Sequence, residues 1–223
     1  MVQAMITSTV ENYLKSLFML NAQGDNRITT GELAKSLNVT PGSATSMIKT
    51  LAEAGLVEHR PHYGVLLTGE GEKLATHVVR RHRIIESFLV QILGMDWSQV
   101  HIEAEQLEHV VSEEVIGHMD RLLGYPTVDP HGDPIPSADG TIQERPLALL
   151  STCQKGDTVS VARISDQDSG FLLFAEEHGL TLGATIQVQK RNEVADSITL
   201  QSNETEIVLG LAAAGRIEVE YKK

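Results

Sequence analysis

Apolar residues recur at helical spacing from the start of the chain. Val10, Tyr13, Leu14, Leu17, Phe18 and Leu20 share one side of a helix over 4–22, and Gly24 with Asp25 ends it. Thr29 or Thr30 caps a second helix carrying Leu33, Ala34 and Leu37, and Asn38–Val39–Thr40 is a turn. Thr40 caps a third helix, with Pro41 at its first position and Ala44, Met47, Ile48 and Leu51 on its inner face. Leu56–Arg60 and Val65–Thr68 alternate as strands joined through Pro61–His62–Tyr63–Gly64. This order predicts a helix–turn–helix with a β-hairpin wing. A long helix follows over 69–93, then a helix over 98–117 and a shorter one over Met119–Leu123. Residues 124–146 hold five of the seven prolines and read as an extended linker. Beyond it lie short alternating stretches at Thr158–Ile164, Thr185–Lys190, Ser197–Gln201, Thr205–Leu209 and Arg216–Tyr221, interrupted by a helix-like Gly170–Gly179. Such short, evenly spaced strands predict a small SH3-like β-barrel.

The expected fold is therefore mainly α with a small β part. Residues 1–75 form a winged helix–turn–helix, 76–146 a helical domain with a proline-rich linker, and 147–223 an SH3-like domain. Composition fits a globular chain of 223 residues with 41% apolar content, and aromatics at 4% leave aliphatic cores. The single cysteine, Cys153, excludes an internal disulfide framework and any cysteine zinc cage, which fits a reducing cytoplasm. The first residues lack the basic and apolar regions of a signal peptide, and no apolar run is long enough to span a membrane. A cytoplasmic location is expected.

Net charge is −12, which at first opposes nucleic-acid binding. Its distribution changes that picture: residues 1–83 carry +2, 84–150 carry −10 and 151–223 carry −4. The acid gathers in the middle, away from the winged helix. The third helix is expected to enter the major groove of double-stranded DNA by its N-terminal half. Ser43, Thr45, Ser46 and Lys49 face outward there, Thr40 and Pro41 open the helix towards a phosphate, and Arg60, with His59 and His62, lies on the wing. No arginine or glutamine is placed for a bidentate base contact, so DNA shape is expected to contribute.

The acidic middle carries the chemistry. His101, Glu105, Glu108 and His109 stand at offsets that place them within a ~100° arc of one helix face. Two carboxylates and two imidazoles on one face repel or go unsatisfied unless a cation joins them. His82 and Glu86, four apart on the preceding helix, form a second pair. Alone, such a pair is an ordinary surface ion pair; on neighbouring helices the two groups can converge on a divalent metal. Imidazole with carboxylate suits first-row ions. Two other functions compete: a winged-helix regulator that senses an organic ligand, its His/Glu set serving as ion pairs, and a carboxylate-bridged metalloenzyme. The latter uses Glu-x-x-His on two helices, whereas Gln106 and Val79 occupy the places three before His109 and His82.

These residues resemble the diphtheria-toxin-repressor family of metal-dependent repressors, with its manganese-transport-regulator branch. The resemblance runs from Thr9–Leu14 through Arg81–Glu86, the His101–His109 set and His131–Pro136 to the C-terminal domain, which it implies to be FeoA-like. It implies a principal metal site on Asn12, Glu105, Glu108 and His109, an ancillary site on His82, Glu86 and His101, and a C-terminal ligand at Asp166 with Ser169 beside it. It implies DNA contacts along Thr40–Ser46, a homodimer, a palindromic operator and metal-uptake genes as targets. Glu105 stands where the iron branch has cysteine, which implies Mn(II), with Fe(II) as the alternative. Asn12 replaces methionine or aspartate, and Lys15 replaces a glutamate of the manganese branch. On this reading the chain is no enzyme; metal fixes the spacing of paired recognition helices.

Overall fold

The computed structural model describes residues 7–21, 27–143, 145–165, 168–202 and 205–222. The described chain forms two compact units. The first comprises residues up to Arg81 together with Pro136–Thr141; the second comprises His82–Ile135 and the chain from Ile142.

In the first unit, α1 (Ser8–Asn21), α2 (Thr30–Ser36) and α3 (Pro41–Glu53) precede β1 (Val57–Arg60) and β2 (Gly64–Leu67). Leu14, Leu17, Leu33, Ile48, Leu51 and Val65 are buried together, each fully buried aliphatic side chain contributing about 2 kcal/mol. Local chemistry sets the helix starts. Thr29 and Glu32 form a reciprocal capping box for α2, and the Thr40 hydroxyl accepts from Ser43 N–H with Pro41 in the first turn of α3. The wing is an antiparallel pair running from Val57 opposite Leu67 to Arg60 opposite Gly64. Arg80 Nη1 donates to Pro136 O at 2.6 Å, tying the returning segment to this unit.

The unit boundary falls inside α4 (Gly69–Gln91). In the second unit, α4 packs with α5 (Val100–Leu107) and α6 (Glu113–Leu122) around Ile84, Ile85, Leu89, Val100, Ala104 and Ile116. The single helix expected over 98–117 is two helices. Ser112 accepts from Val115 N–H and starts α6, with Glu113 and Glu114 in its first turn where the helix dipole favours acid. Helix α6 thereby takes in most of the shorter helix expected at Met119–Leu123. The proline-rich segment is built rather than extended: Val128 bridges Pro134, Ile135 joins the helical core, and Asp129 and His131 are buried.

The C-terminal part holds β3 (Ala148–Leu149), β4 (Thr158–Ile164), α7 (Ser169–Glu177), β5 (Thr185–Asn192), β6 (Ser197–Ser202), β7 (Thr205–Gly210), α8 (Leu211–Ala214) and β8 (Ile217–Tyr221). Its six strands run in the order β3-β8-β4-β5-β6-β7, every pair antiparallel. Alternating burial in β6 shows the half-buried pattern that its sequence predicts. A bulge between Val161 and Arg163 interrupts β4. Gly132 meets the chain there: a Cβ on it, at φ +90°, would lie 2.2 Å from Ala162 O. Ile164 N–H donates to His131 O at 2.9 Å, fastening the same loop to β4. Among the described residues no helix is long and apolar enough to cross a membrane.

Beside that contact, Arg163 pairs with Glu218, whose carboxylate also accepts from the Ser165 hydroxyl. Burial pushes the Glu218 carboxyl up, but Arg163 and Ser165 together hold it below its usual range. A depressed folded value stabilises above the ordinary value near 4.5, and that stability disappears as pH falls through the folded value. Glu218→Gln is therefore expected to lower the thermal midpoint at neutral pH, with the gap from the parent closing in acid. A gap independent of pH would contradict this assignment.

Candidate metal centre

Helix α4 places His82 and Glu86 one turn apart on a buried face. Helix α5 contributes His101 and Glu105; Glu108 is its C-cap, and His109 follows in the turn. His82 is the hub. Its Nδ1 lies 2.5 Å from Glu108 Oε2 and 4.0 Å from Glu105 Oε1. Its Nε2 lies 2.9 Å from Glu86 Oε1 and 3.1 Å from His101 Nδ1. His101 Nδ1 is 3.2 Å from Glu86 Oε1, and His101 Nε2 is 3.6 Å from Glu105 Oε1. His109 Nε2 stands 3.4 Å from Glu108 Oε1. One ring thus faces two groups: His82 with Glu86 and His101, and His82 with Glu105 and Glu108.

Glu86 has no solvent exposure. Burial pushes its carboxyl up, yet the charge of His82 and hydrogen bonds from His101 and His82 hold it below the usual range. A buried carboxylate persists only against cations or donors of this kind.

The other Glu86 oxygen faces a different set. One ligand atom from each of Glu86, Asp129 and His131 lies within 4.8 Å of the others, and all three residues are buried. His131 Nδ1 is 3.9 Å from Glu86 Oε2. Glu86 Oε2, Asp129 Oδ2 and His131 Nδ1 have no hydrogen-bond partner among the described residues. His131 Nε2 sits 2.9 Å from Trp97 O, a carbonyl that only accepts, so Nε2 carries a proton and Nδ1 is the nitrogen turned towards Glu86. Asp129 Oδ1 accepts from His131 and Asp133 N–H, which turns the loop inward. Burial, then Asp133 and Glu86, push the Asp129 carboxyl well above its usual range. Two carboxylates and an imidazole are the donor types a divalent cation takes, and Asp129 Oδ2 also faces Arg83 Nε at 3.7 Å. Arg83 stabilises the loop from the side, donating to Pro134 O at 2.5 Å and standing 3.7 Å from Asp129 and 3.6 Å from Asp133.

The residues expected from sequence are thus largely brought together: His82, Glu86, His101, Glu105, Glu108 and His109 lie in one cluster. Asn12 belongs to the other compact unit, where its Oδ1 is buried with no hydrogen-bond partner among the described residues. Asp166 lies outside the described residues, and Ser169 is exposed at the start of α7. Asp129 and His131 were not expected as ligands. A histidine and two aspartates between prolines, Asp129–Pro130–His131–Gly132–Asp133, were the available signal, masked by reading the prolines as linker. On the winged helix, Thr40, Pro41, Ser43, Ser46, Lys49 and Arg60 are exposed and Thr45 is half-buried. The Thr45 hydroxyl donates to Pro41 O at 2.8 Å. Thr40 spends its oxygen on the cap, leaving the α3 N-terminus and neighbouring hydroxyls outward.

The family profile described as "Iron dependent repressor, N-terminal DNA binding domain" matches residues 5–65, and "Iron dependent repressor, metal binding and dimerisation domain" matches 68–137. The "FeoA domain" profile matches 148–221. An uncharacterized HTH-type transcriptional regulator of Methanocaldococcus jannaschii is 35% identical over 111 residues, 50% of this chain and 89% of that protein. The chain belongs to the diphtheria-toxin-repressor and manganese-regulator family. The diphtheria toxin repressor of Corynebacterium diphtheriae is 29% identical over 222 residues, covering 96% of this chain and 98% of that one. A solved manganese-dependent transcriptional repressor in complex with manganese superposes with a TM-score of 0.87 at 40% identity, covering 96% of this chain and 100% of that one. The family consists of metal-dependent transcriptional repressors of the iron and manganese class, not of enzymes. The six-stranded C-terminal part is its SH3-like FeoA domain.

Because His82 faces both groups, His82→Ala is expected to weaken two bound Mn(II) equivalents together, by about tenfold or more. His118→Ala, exposed on α6, is the control expected to change neither. Isothermal calorimetry checks this, and loss of a single equivalent would refute the shared role.

Proposed function

We propose that this repressor is a cytoplasmic homodimer that binds a palindromic operator when loaded with Mn(II), Fe(II) being the alternative, and controls metal-uptake genes. The observation that carries the metal assignment is the buried His82-centred cluster, whose donors are all carboxylate oxygen and imidazole nitrogen. Such donors suit Mn(II) or Fe(II) over softer ions. The manganese complex among its structural relatives supports manganese.

Three sets of residues are assigned. Glu105, Glu108 and His109, with Asn12 from α1, form the principal set that the family resemblance implies. His82, Glu86 and His101 form the ancillary set. Glu86, through its second oxygen, with Asp129 and His131 forms an inner set, and Asp166 stands as the C-terminal candidate of the resemblance. A bound divalent ion supplies the positive charge that lets these carboxylates stay ionised and close together. Asn12 lies on the first helix of the winged unit, so sharing an ion with the turn after α5 restrains the DNA reader relative to the dimer. Recognition helices must stand about 34 Å apart to enter successive major grooves, and the restrained arrangement selects that spacing. Thr40, Pro41, Ser43, Thr45, Ser46 and Lys49 of α3, with Arg60 of the wing, then meet the operator, hydroxyls and backbone N–H groups serving bases and phosphates.

A mobility-shift titration tests the reading. Operator affinity is expected to rise about 10- to 100-fold on adding Mn(II) and to fall back with chelator; equal affinity in both conditions sinks it. Asn12→Asp restores a negative charge and is expected to lower the Mn(II) concentration needed. Glu105→Cys is expected to shift activation towards softer ions such as Zn(II).

A further inference from the structure

Trp97 touches the inner set at two points. Its carbonyl accepts from His131 Nε2 at 2.9 Å. Its indole stacks on the His131 ring, with centroids 5.5 Å apart and planes 23° from parallel. The turn that opens α5 aims that carbonyl: Asp96 Oδ1 accepts from Ser98 N–H and hydroxyl at 2.8 and 2.6 Å, and Gln99 N–H donates to Asp96 O at 3.0 Å. The far edge of the indole is held as well, its N–H donating to Glu176 Oε2 of α7 at 3.0 Å.

These contacts determine what His131 offers. The carbonyl takes the Nε2 proton as its hydrogen bond, so Nδ1 is the ring atom left on the side of the buried carboxylates. Stacking sets the ring plane and so the direction in which Nδ1 points. Trp97 is also a wall. With Pro130 it lines an open cleft of 560 Å³, which Val90, Met95, Glu176 and Leu182 also line, while His131 has no solvent exposure.

We propose that Trp97 is a positioning residue for the inner cation set, acting through His131 to aim Nδ1 at the space it shares with Glu86 and Asp129 and to keep cleft water off the ring. The proposal rests on the reading that Glu86, Asp129 and His131 hold a cation. Trp97 is the chain's single tryptophan, so its emission reports that set without a label. Paramagnetic Mn(II) beyond the stacked imidazole quenches it.

The test is a Mn(II) titration of the full chain that follows bound metal by equilibrium dialysis and indole emission together. Asp129→Asn, which keeps the oxygen that shapes the turn, is expected to lose one equivalent per chain and the emission change with it. Trp97→Ala is expected to weaken that one equivalent about tenfold and leave the others as in the parent. Trp97→Phe keeps the stack and the carbonyl and is expected to recover most of the loss. Two results overturn the positioning role: Trp97→Ala weakening every equivalent in step with the thermal midpoint, or leaving the inner equivalent at parental affinity while Asp129→Asn removes it. An Asp129→Asn chain that binds as many ions as the parent overturns the inner set itself, and the role of Trp97 with it.

Discussion

An imidazole between two buried carboxylates is the constraint on which the rest of the second unit depends. His82 faces Glu108 through one nitrogen and Glu86 through the other, and neither carboxylate sees solvent. Removing such charges from water costs several kcal/mol per ion unless a counter-charge is fixed nearby. The surrounding apolar residues supply the fixing. Ile84 and Ile85 on α4, Val100 and Ala104 on α5 and Ile116 on α6 are fully or nearly fully buried against one another. They hold the polar cluster together at a cost that a stability-optimised core of the same volume would avoid. Two carboxylates and two imidazoles gathered at that cost are the site the proposed cation would occupy.

The loop from Asp129 to Ile135 extends the same logic to the C-terminal sheet. Asp129 folds the loop on its own N–H groups, Arg83 holds it from α4, and Gly132 allows the backbone to approach the β4 bulge closer than any side chain would permit. Glu86 therefore looks in two directions, with His82 and His101 on one oxygen and Asp129 and His131 about the other. Charge at one oxygen alters the other through a single carboxylate. The loop that faces Glu86 is itself fastened to the FeoA domain, since the His131 carbonyl accepts from Ile164 N–H of β4.

Much was legible in the sequence because it was local. Amphipathic period, capping residues and turn residues placed α1 to α4, the wing and the five longer strands within a few residues of where they lie. The ligand types on α4 and α5 were legible too, since residues three and four apart share a helix face whatever the surroundings. Competing local signals hid the other boundaries. Ser112 is a cap inside an otherwise helical pattern, and it divided one expected helix into α5 and α6. Prolines 126 to 136 suggested a linker, yet they frame a loop whose polar side chains are buried.

By itself, then, the sequence determined the order of elements, the concentration of acid in the middle of the chain and the oxygen–nitrogen character of the candidate ligands. Only the tertiary structure decided that His82 serves two groups at once and that Asp129 and His131 reach the second oxygen of Glu86 under the indole of Trp97. Helical periodicity reports which residues share a face. It carries no information on which distant loop is folded against that face, because that depends on packing and on hydrogen bonds such as those of Gly132 and Arg83, made between residues far apart in the chain.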